Sequence, residues 1–563
     1  MNQTTNNNTS SSNSADTDNN ANTSNNNSSN NNSNPYRYVK KKESPEVLAK
    51  RVEIYTYLSK LAVIYAIIST FCLYRNLSGV TMPVFGIATL VYLFATHSYF
   101  EIKIKPVSYF YGAMMLLLCV SDFLTANTFY ICFNNIGIIA LIFAFIFTNF
   151  YDLKKWSFIQ TIWHYFNNIF SALDGASELS KDKKAVKQAA KDEIKVNGNV
   201  VNPETLRKRY VIKSVITGIL IGIPIIIVVL YLLSKADVVF ETFVKKYLLF
   251  DIGYIFRNFI GIAITFYLIN LFAYCTIRNF SRKKEQKIIE NEKKFEPIIG
   301  ITTLSIIALI YLIFSAIQIM YLFIGKFSLP NGYTYSHYAR EGFIQLLIVC
   351  IINIMLVLFF NNKFEDNGIL NFLMTLISLC TYIMIASSFM RMSLYIKLFK
   401  LTHLRILTLW MLIVLSLLFI GVIISVYKDD FPLFSYGALI ISIMYIILSF
   451  SHTDYLIAKY NLKELSKAEA KYDEDYDFSN TDYFDYNDYY FNNFEAEYSD
   501  VKLADYHYLT TLSADAAPII AKYSDAYWAE NYFNKFKYDT DFETDNFRHF
   551  NLSRYTERKV NPY

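Results

Sequence analysis

Residues 129–149 read FYICFNNIGIIALIFAFIFTN, a run of twenty-one positions without a charged side chain. At 1.5 Å per residue, a helix of that length crosses a hydrocarbon core of about 30 Å. Only a helix or a closed barrel satisfies its own main-chain polar groups there, and no period-two alternation marks a strand. The segment is a membrane-spanning helix.

Similar runs lie on either side of it. The apolar pattern predicts spans at 54–74, 80–100 and 107–125 before it, and at 211–233, 252–277, 298–324, 342–360, 369–390, 406–427 and 433–457 after it. The fold class expected is all-α, a polytopic transmembrane helix bundle of about 11 helices. Composition agrees, since 53% of the 563 residues are apolar and only 18% charged, too few charges for a set of soluble domains of this length. Cys72, Cys119, Cys132, Cys275, Cys350 and Cys380 all fall inside apolar runs without the paired spacing of a zinc or redox site, so they read as small buried hydrophobes.

The organisation follows from the same pattern. Residues 1–34 are nearly all Asn, Ser and Thr, cannot bury enough apolar area to offset their ordering entropy, and are expected to be disordered. A first transmembrane block of about four helices occupies 35–149, and an interfacial helix with a charged linker occupies 150–210. A second block of about seven helices fills 211–458, an acidic, Tyr- and Asn-rich flexible insertion 459–504, and a small helical C-terminal domain 505–563.

Charge placement predicts orientation. The net charge of +5 conceals basic loops and an acidic tail. Lys40, Lys41, Lys42, Lys50 and Arg51 precede the first span, Lys103 and Lys105 follow the second, and Arg278, Arg282, Lys283, Lys284 and Lys287 follow the sixth. Basic residues of this kind mark the cytoplasmic side, which places the N-terminus in the cytoplasm of a cell-membrane protein. They are topology signals, so a nucleic-acid partner is excluded. Eleven spans put the tail outside, and with it Arg391, Lys397, Lys400 and Arg405, against the positive-inside rule. Met392–Leu404 is accordingly open between spanning, interfacial and re-entrant readings.

Two segments have interfacial patterns. On a helix Trp156, Ile159, Trp163, Phe166 and Phe170 share one face, and Val239, Phe243 and Phe250 oppose Asp237, Glu241 and Lys245. Gly218 and Gly222, and Pro83 with Gly86, are read as places of close helix packing.

Polar residues at membrane depth are the default functional candidates because they are costly there. Asp122 is the one carboxylate inside an early span, with Asn134, Asn135, Gln318 and Asn353 as uncharged companions in others. Arg340 and Glu341 enter a span side by side and, being adjacent, face different partners. Arg391 and Arg405 bracket the uncertain segment, where headgroups or carbonyls would receive them. The seven histidines lack HExxH spacing, and no phosphate loop, dinucleotide fingerprint or nucleophile elbow is present, so no cofactor, no metal and no soluble-enzyme class is implied.

At these residues the chain resembles the bacterial multi-pass family catalogued as domain of unknown function 4173. Tyr338-Ala339-Arg340-Glu341-Gly342-Phe343 is similar to that family's aromatic-Ala-Arg-x-Gly-Phe helix entrance, and Leu401-Thr402 with Arg405 to its turn before a late helix. Ala458 to Leu462 resembles its exit from the last span. Asp505, Tyr508-Leu509, Leu512-Ser513, Asp515-Ala516 and Pro518 resemble its C-terminal helical signature. The resemblance, over about 210–563, implies a membrane protein of a bacterial envelope and carries no activity.

In the tail, Leu509, Leu512, Ala516, Ile519, Ile520 and Tyr523 have helical spacing. Leu509 and Leu512 are expected to pack on the bundle, while Asp515, next to Ser513 and ahead of Pro518, meets a basic or main-chain partner. The partners expected are membrane lipids and, through this domain, an envelope protein. Without a catalytic constellation or an internal repeat, the expected role is a structural, sensory or assembly component of the envelope. The alternatives are a secondary transporter or channel running past Asp122, Asn134 and Asn353, and a membrane-embedded enzyme holding a lipid or cell-wall precursor with Arg340, Glu341, Arg391 and Arg405.

Overall fold

A computed structural model describes residues 44–151, 158–170, 175–196, scattered positions between 211 and 242, 252–282, 295–320, 343–475, 506–537 and 547–563. Among these residues the structure is helical, with one isolated bridge between Phe295 and Phe364. Ten helices are long and apolar enough to cross a membrane. The expected span at 211–233 falls largely outside the described residues.

The first block is built from α1 (Pro45–Leu73), α2 (Thr81–Tyr99), α3 (Pro106–Leu124) and α4 (Thr128–Phe150). Proline in the first turn starts α1 and α3, where its missing N–H costs nothing. The side chain of Asn127 caps α4 by accepting from the Phe129 and Tyr130 nitrogens. Packing is close because small residues sit at the crossings. A Cβ at Gly86 would come within 2.9 Å of Leu116 and 3.0 Å of Cys119. Gly218 and Gly222 have no described atom within 4 Å of a Cβ placed there.

Helix α5 (Phe158–Phe170) leaves Trp163, Phe166 and Phe170 exposed at 71, 53 and 79%. Helix α6 (Gly175–Val196) is polar and lies against α1 and α7 (Ile252–Arg282). Its buried Asp182 accepts from Arg51 at 2.8 Å, from the Arg278 Nε at 2.7 Å and from the Tyr274 hydroxyl at 2.9 Å. This cluster joins the start of α1 to the end of α7, while at their other ends Tyr74 donates to Asn258 at 3.1 Å. The two helices are therefore antiparallel. Because α6 sits at the Arg51 end and Ile252 at the Tyr74 end, the chain changes face between Val196 and Ile252.

The second block holds α8 (Pro297–Gln318), α9 (Phe343–Lys363), α10 (Gly368–Phe399), α11 (His403–Tyr427) and α12 (Leu433–Phe450). Helix α10 continues well past the predicted end at 390, which makes Arg391 and residues 392–399 part of one continuous helix. The chain reverses at Lys400, whose φ of +62° and ψ of −176° lie in a region that suits glycine.

The last span is shorter than predicted. Helix α12 stops at Phe450, His452 takes φ +45°, and α13 (Thr453–Asp475) starts in a new direction. The first part of the stretch read as a flexible insertion is thus helical. Ile457, Ala458, Leu462 and Leu465 recur on one face of α13 and are buried, which holds it in place. Residues 476–505 lie outside the described set.

The tail begins with a helical turn at 506–510 and continues through a 3-10 turn (Ala514–Ala516) into α14 (Ala517–Ile520). Helices α15 (Tyr527–Lys537) and α16 (Leu552–Val560) complete it. Leu509, Leu512, Ala516, Ile520, Tyr532 and Phe533 share one apolar core with α13, and Leu401 and Ile406 from the α10–α11 turn pack on it.

Candidate functional site at the junction of tail and bundle

The tail sits on the face where α1 and α3 end and α4 and α11 begin, opposite the face on which α1 starts. Two short loops receive it. In the α1–α2 loop, Asn76 donates to the Arg548 carbonyl at 2.8 Å, the Val80 nitrogen donates to the Phe550 carbonyl at 2.9 Å, and Arg548 donates back to the Tyr74 carbonyl at 2.6 Å. Gly79, at φ +109°, lies so close that a Cβ there would be 3.0 Å from the Arg548 carbonyl oxygen. In the α3–α4 loop, Asn551 donates to the carbonyls of Thr125 at 2.8 Å and Asp122 at 3.2 Å. Its side-chain oxygen meanwhile caps α16. One residue thereby satisfies the end of α3 and the beginning of α16.

Two buried carboxylates complete the junction. Asp515 accepts from the Ala126 nitrogen at 2.8 Å, from the Thr125 hydroxyl at 2.5 Å and from the Ser553 hydroxyl at 2.5 Å, with His452 Nδ1 at 3.5 Å. The main-chain partner expected for Asp515 is the α3–α4 loop. Asp454 accepts from Asn127 at 2.8 Å, from the Ser513 nitrogen at 2.9 Å and from His403. Burial pushes the Asp454 carboxyl up, but the hydrogen bonds from His403 and Ser513 outweigh it and hold it below the usual range. Hydrogen bonding to Asp515 raises His452 against the opposing effect of burial. Burial pulls Lys535 down to about 8, and it donates to the Thr510 carbonyl at 2.7 Å and to that of Leu512.

Beside these groups lies a cavity of about 730 Å³, lined by Asn127, Phe129, Leu404, Tyr508, Lys535 and Arg554 among others. A second, almost wholly apolar cavity of about 500 Å³ separates the two blocks between Tyr111, Gly137, Phe166, Leu358, Val422 and Gly437.

The other residues singled out in the sequence do not converge. Asp122 Oδ1 accepts from Asn134 at 2.9 Å, and Asn134 accepts from Tyr445 at 2.9 Å and Ser449 at 2.8 Å, which links α3, α4 and α12. Asn353 belongs to a separate group, accepting from Tyr311 at 2.7 Å and donating to Thr381 at 2.9 Å. Tyr445 of the first group lines the apolar cavity, but Asp122, Asn134 and Asn353 themselves line neither, and the two groups share no hydrogen bond among the described residues. Arg405 donates to the carbonyls of Phe399 and Lys400 and stacks over Tyr395 at 4.4 Å, acting as the cap of α10. Arg391 is half-buried on α10 and lines neither cavity. Arg340 and Glu341 lie outside the described residues.

Asp454, Asn127, Asn551 and Lys535 were not expected. Asp454 had a local signal: Ser451-His452-Thr453-Asp454 is a helix-start composition placed inside what reads as the end of a span. The others act through loops remote in sequence.

These features define a multi-pass helical membrane protein with a C-terminal helical domain bound to one face of its bundle. Residues 112–523 match the family described as Domain of unknown function (DUF4153), and the chain belongs to that family. The sequence resemblance pointed to a family of the same kind under the number 4173; the match is to 4153. No curated protein and no solved structure matches the chain.

Proposed function

We propose that this protein is a sensory component of a bacterial cell envelope, in which docking of the tail domain reports conditions at one membrane face to the helix bundle. One observation carries the reading: Asp454 takes hydrogen bonds at once from the bundle through Asn127, from the start of α11 through His403, and from the tail through Ser513. A carboxylate shared by three elements couples their positions to its own state, and Asp515 repeats the arrangement at the α3–α4 loop. The basic residues at the α1 end support a cytoplasmic N-terminus, and hence a tail on the outer face. Lipids around the bundle and an envelope protein on the tail are the partners this reading implies.

Hydrogen exchange of the full-length protein in nanodiscs tests it. Asp454→Ala is expected to raise exchange in 506–537 and also at the α3–α4 loop and the α10–α11 turn. Release of the tail without any change in the bundle would reduce the domain to a structural cap and end the sensory reading.

A further inference from the structure

We infer that the junction cavity binds one anionic phospholipid, with its phosphate on the side of Lys535 and Arg554 and its chains over Phe129, Leu404 and Leu407. All five residues line the same space, whose volume of about 730 Å³ lies within the usual range of about 300–1,000 Å³ for ligand sites. The cavity stands where α4 and α11, both spanning helices, begin, which is the level of lipid headgroups.

Its walls differ in chemistry. The wall from the spans is apolar and turned outward, Leu404 being 65% and Phe129 37% exposed. The wall from the tail brings two cations together with the Tyr508 and Thr511 hydroxyls. Two of the three Lys535 N–H groups are held by main-chain carbonyls of the tail, which fixes the ammonium and leaves one donor. The N-termini of α4 and α11 add partial positive charge on the bundle side. Asp454 also lines the cavity, but both its oxygens are taken by His403, Asn127 and Ser513. Two cations, Lys535 and Arg554, against the one carboxylate of Asp454 leave that end net positive, and the other end is apolar, as an anionic amphiphile requires. A soluble anion would leave the Leu404 and Phe129 wall in contact with water.

The inference rests on the sensory reading only for what the lipid does, not for whether it binds, so the exchange experiment above and the one below fail separately. Full-length protein is reconstituted in nanodiscs of phosphatidylcholine with or without phosphatidylglycerol, extracted gently, and the retained lipid measured by mass spectrometry. Phosphatidylglycerol should be retained over phosphatidylcholine, and Arg554→Gln should weaken retention about tenfold, as loss of one charge-assisted bond predicts. Leu404→Glu, which leaves the tail core intact, should do the same by repelling the chains. Equal retention of both lipids, or no effect of either variant while the tail stays protease-resistant, would overturn the site. Displacement of phosphatidylglycerol by inorganic phosphate alone would show a free-anion site and would also overturn it.

Discussion

The carboxylate of Asp515 accepts the main-chain N–H of Ala126 at 2.8 Å, a contact between residues 389 positions apart that ties the tail to the loop joining α3 and α4. Removing it leaves the Ala126 N–H and the Thr125 and Ser553 hydroxyls without their acceptor inside a buried junction. Asp515→Ala should therefore destabilise docking by about 1–3 kcal/mol. Limited proteolysis in native membranes checks this, with faster cleavage of the tail than in the parent; Asp515→Asn, which keeps one acceptor, should fall between.

Docking should depend on pH in a direction set by two groups. The docked pKa of His452 lies above its free value, so its contribution is complete below about 6.5 and is lost as pH rises through the raised value. Asp454 is held below its free value, so its contribution is present above about 3.9 and is lost as pH falls through the lowered value. The groups facing the pair include Asp515, His403 and Lys535 with the Tyr130, Tyr508 and Tyr532 hydroxyls, and Lys535 opposes His452 because burial favours its neutral form as pH rises through about 8. Tail protection from protease should peak at mildly acidic pH. His452→Gln should flatten the alkaline side of that profile, and an unchanged profile would remove His452 from the latch.

The α10–α11 reversal makes opposite predictions for two neighbours. Arg405→Ala strips the cap from the Phe399 and Lys400 carbonyls and should lower stability by about 1–2 kcal/mol. Lys400→Gly relieves a backbone conformation that costs a side-chain residue about 1–3 kcal/mol and should raise it. Thermal unfolding of the purified protein in one detergent reads both.

On the other face, Asp182 pairs with both Arg51 and Arg278 at a site where its own side chain is fully buried, and Glu178 supplies a second anion to Arg51 at 2.9 Å. Asp182→Ala leaves the mostly covered Arg278 without its anion and Arg51 with Glu178 alone, and should cost about 3–5 kcal/mol. Loss of folded protein on size-exclusion chromatography would be the readout, and Arg51→Ala should cost less because Arg278 remains paired.

Cysteines introduced at Ala190 and His507 should report from opposite sides of the membrane, since α6 and the tail occupy opposite faces. A membrane-impermeant reagent added to intact cells should label His507→Cys and spare Ala190→Cys. Labelling of both, or the reverse pattern, would overturn the orientation.

The spans were legible because apolar length is a one-dimensional property, and 129–149 needed nothing but its own residues. Where the reading erred, the cause was local chain direction. The end of the last span looked continuous because Tyr455, Leu456 and Ile457 extend the apolar run, yet the break at His452 redirects them and puts Ile457 in the tail core while Leu456 stays exposed. Arg391 and Arg405 looked alike as cations near a membrane border, but only the folded turn shows that Arg405 faces main-chain carbonyls. Asp515 stood out through its neighbours Ser513 and Pro518. The donors it meets in Thr125 and Ala126 lay beyond any sequence pattern, since nothing in an uncharged three-residue loop announces what will cover it.

The receiving loops at Tyr74–Val80 and Thr125–Asn127 are made early in synthesis, while Asp515, Arg548 and Asn551 follow every described span. Insertion of the helices and closure of the latch are consequently separate events in the life of the chain, with the second possible only after the tail has itself been made and brought to the face that carries those loops. A ribosome that stops at Asp475 would release a complete set of spans with bare loop carbonyls at Asp122 and Thr125. Such a product would be inserted but unfinished, and distinguishable by quality-control proteases at the membrane surface from one that had closed.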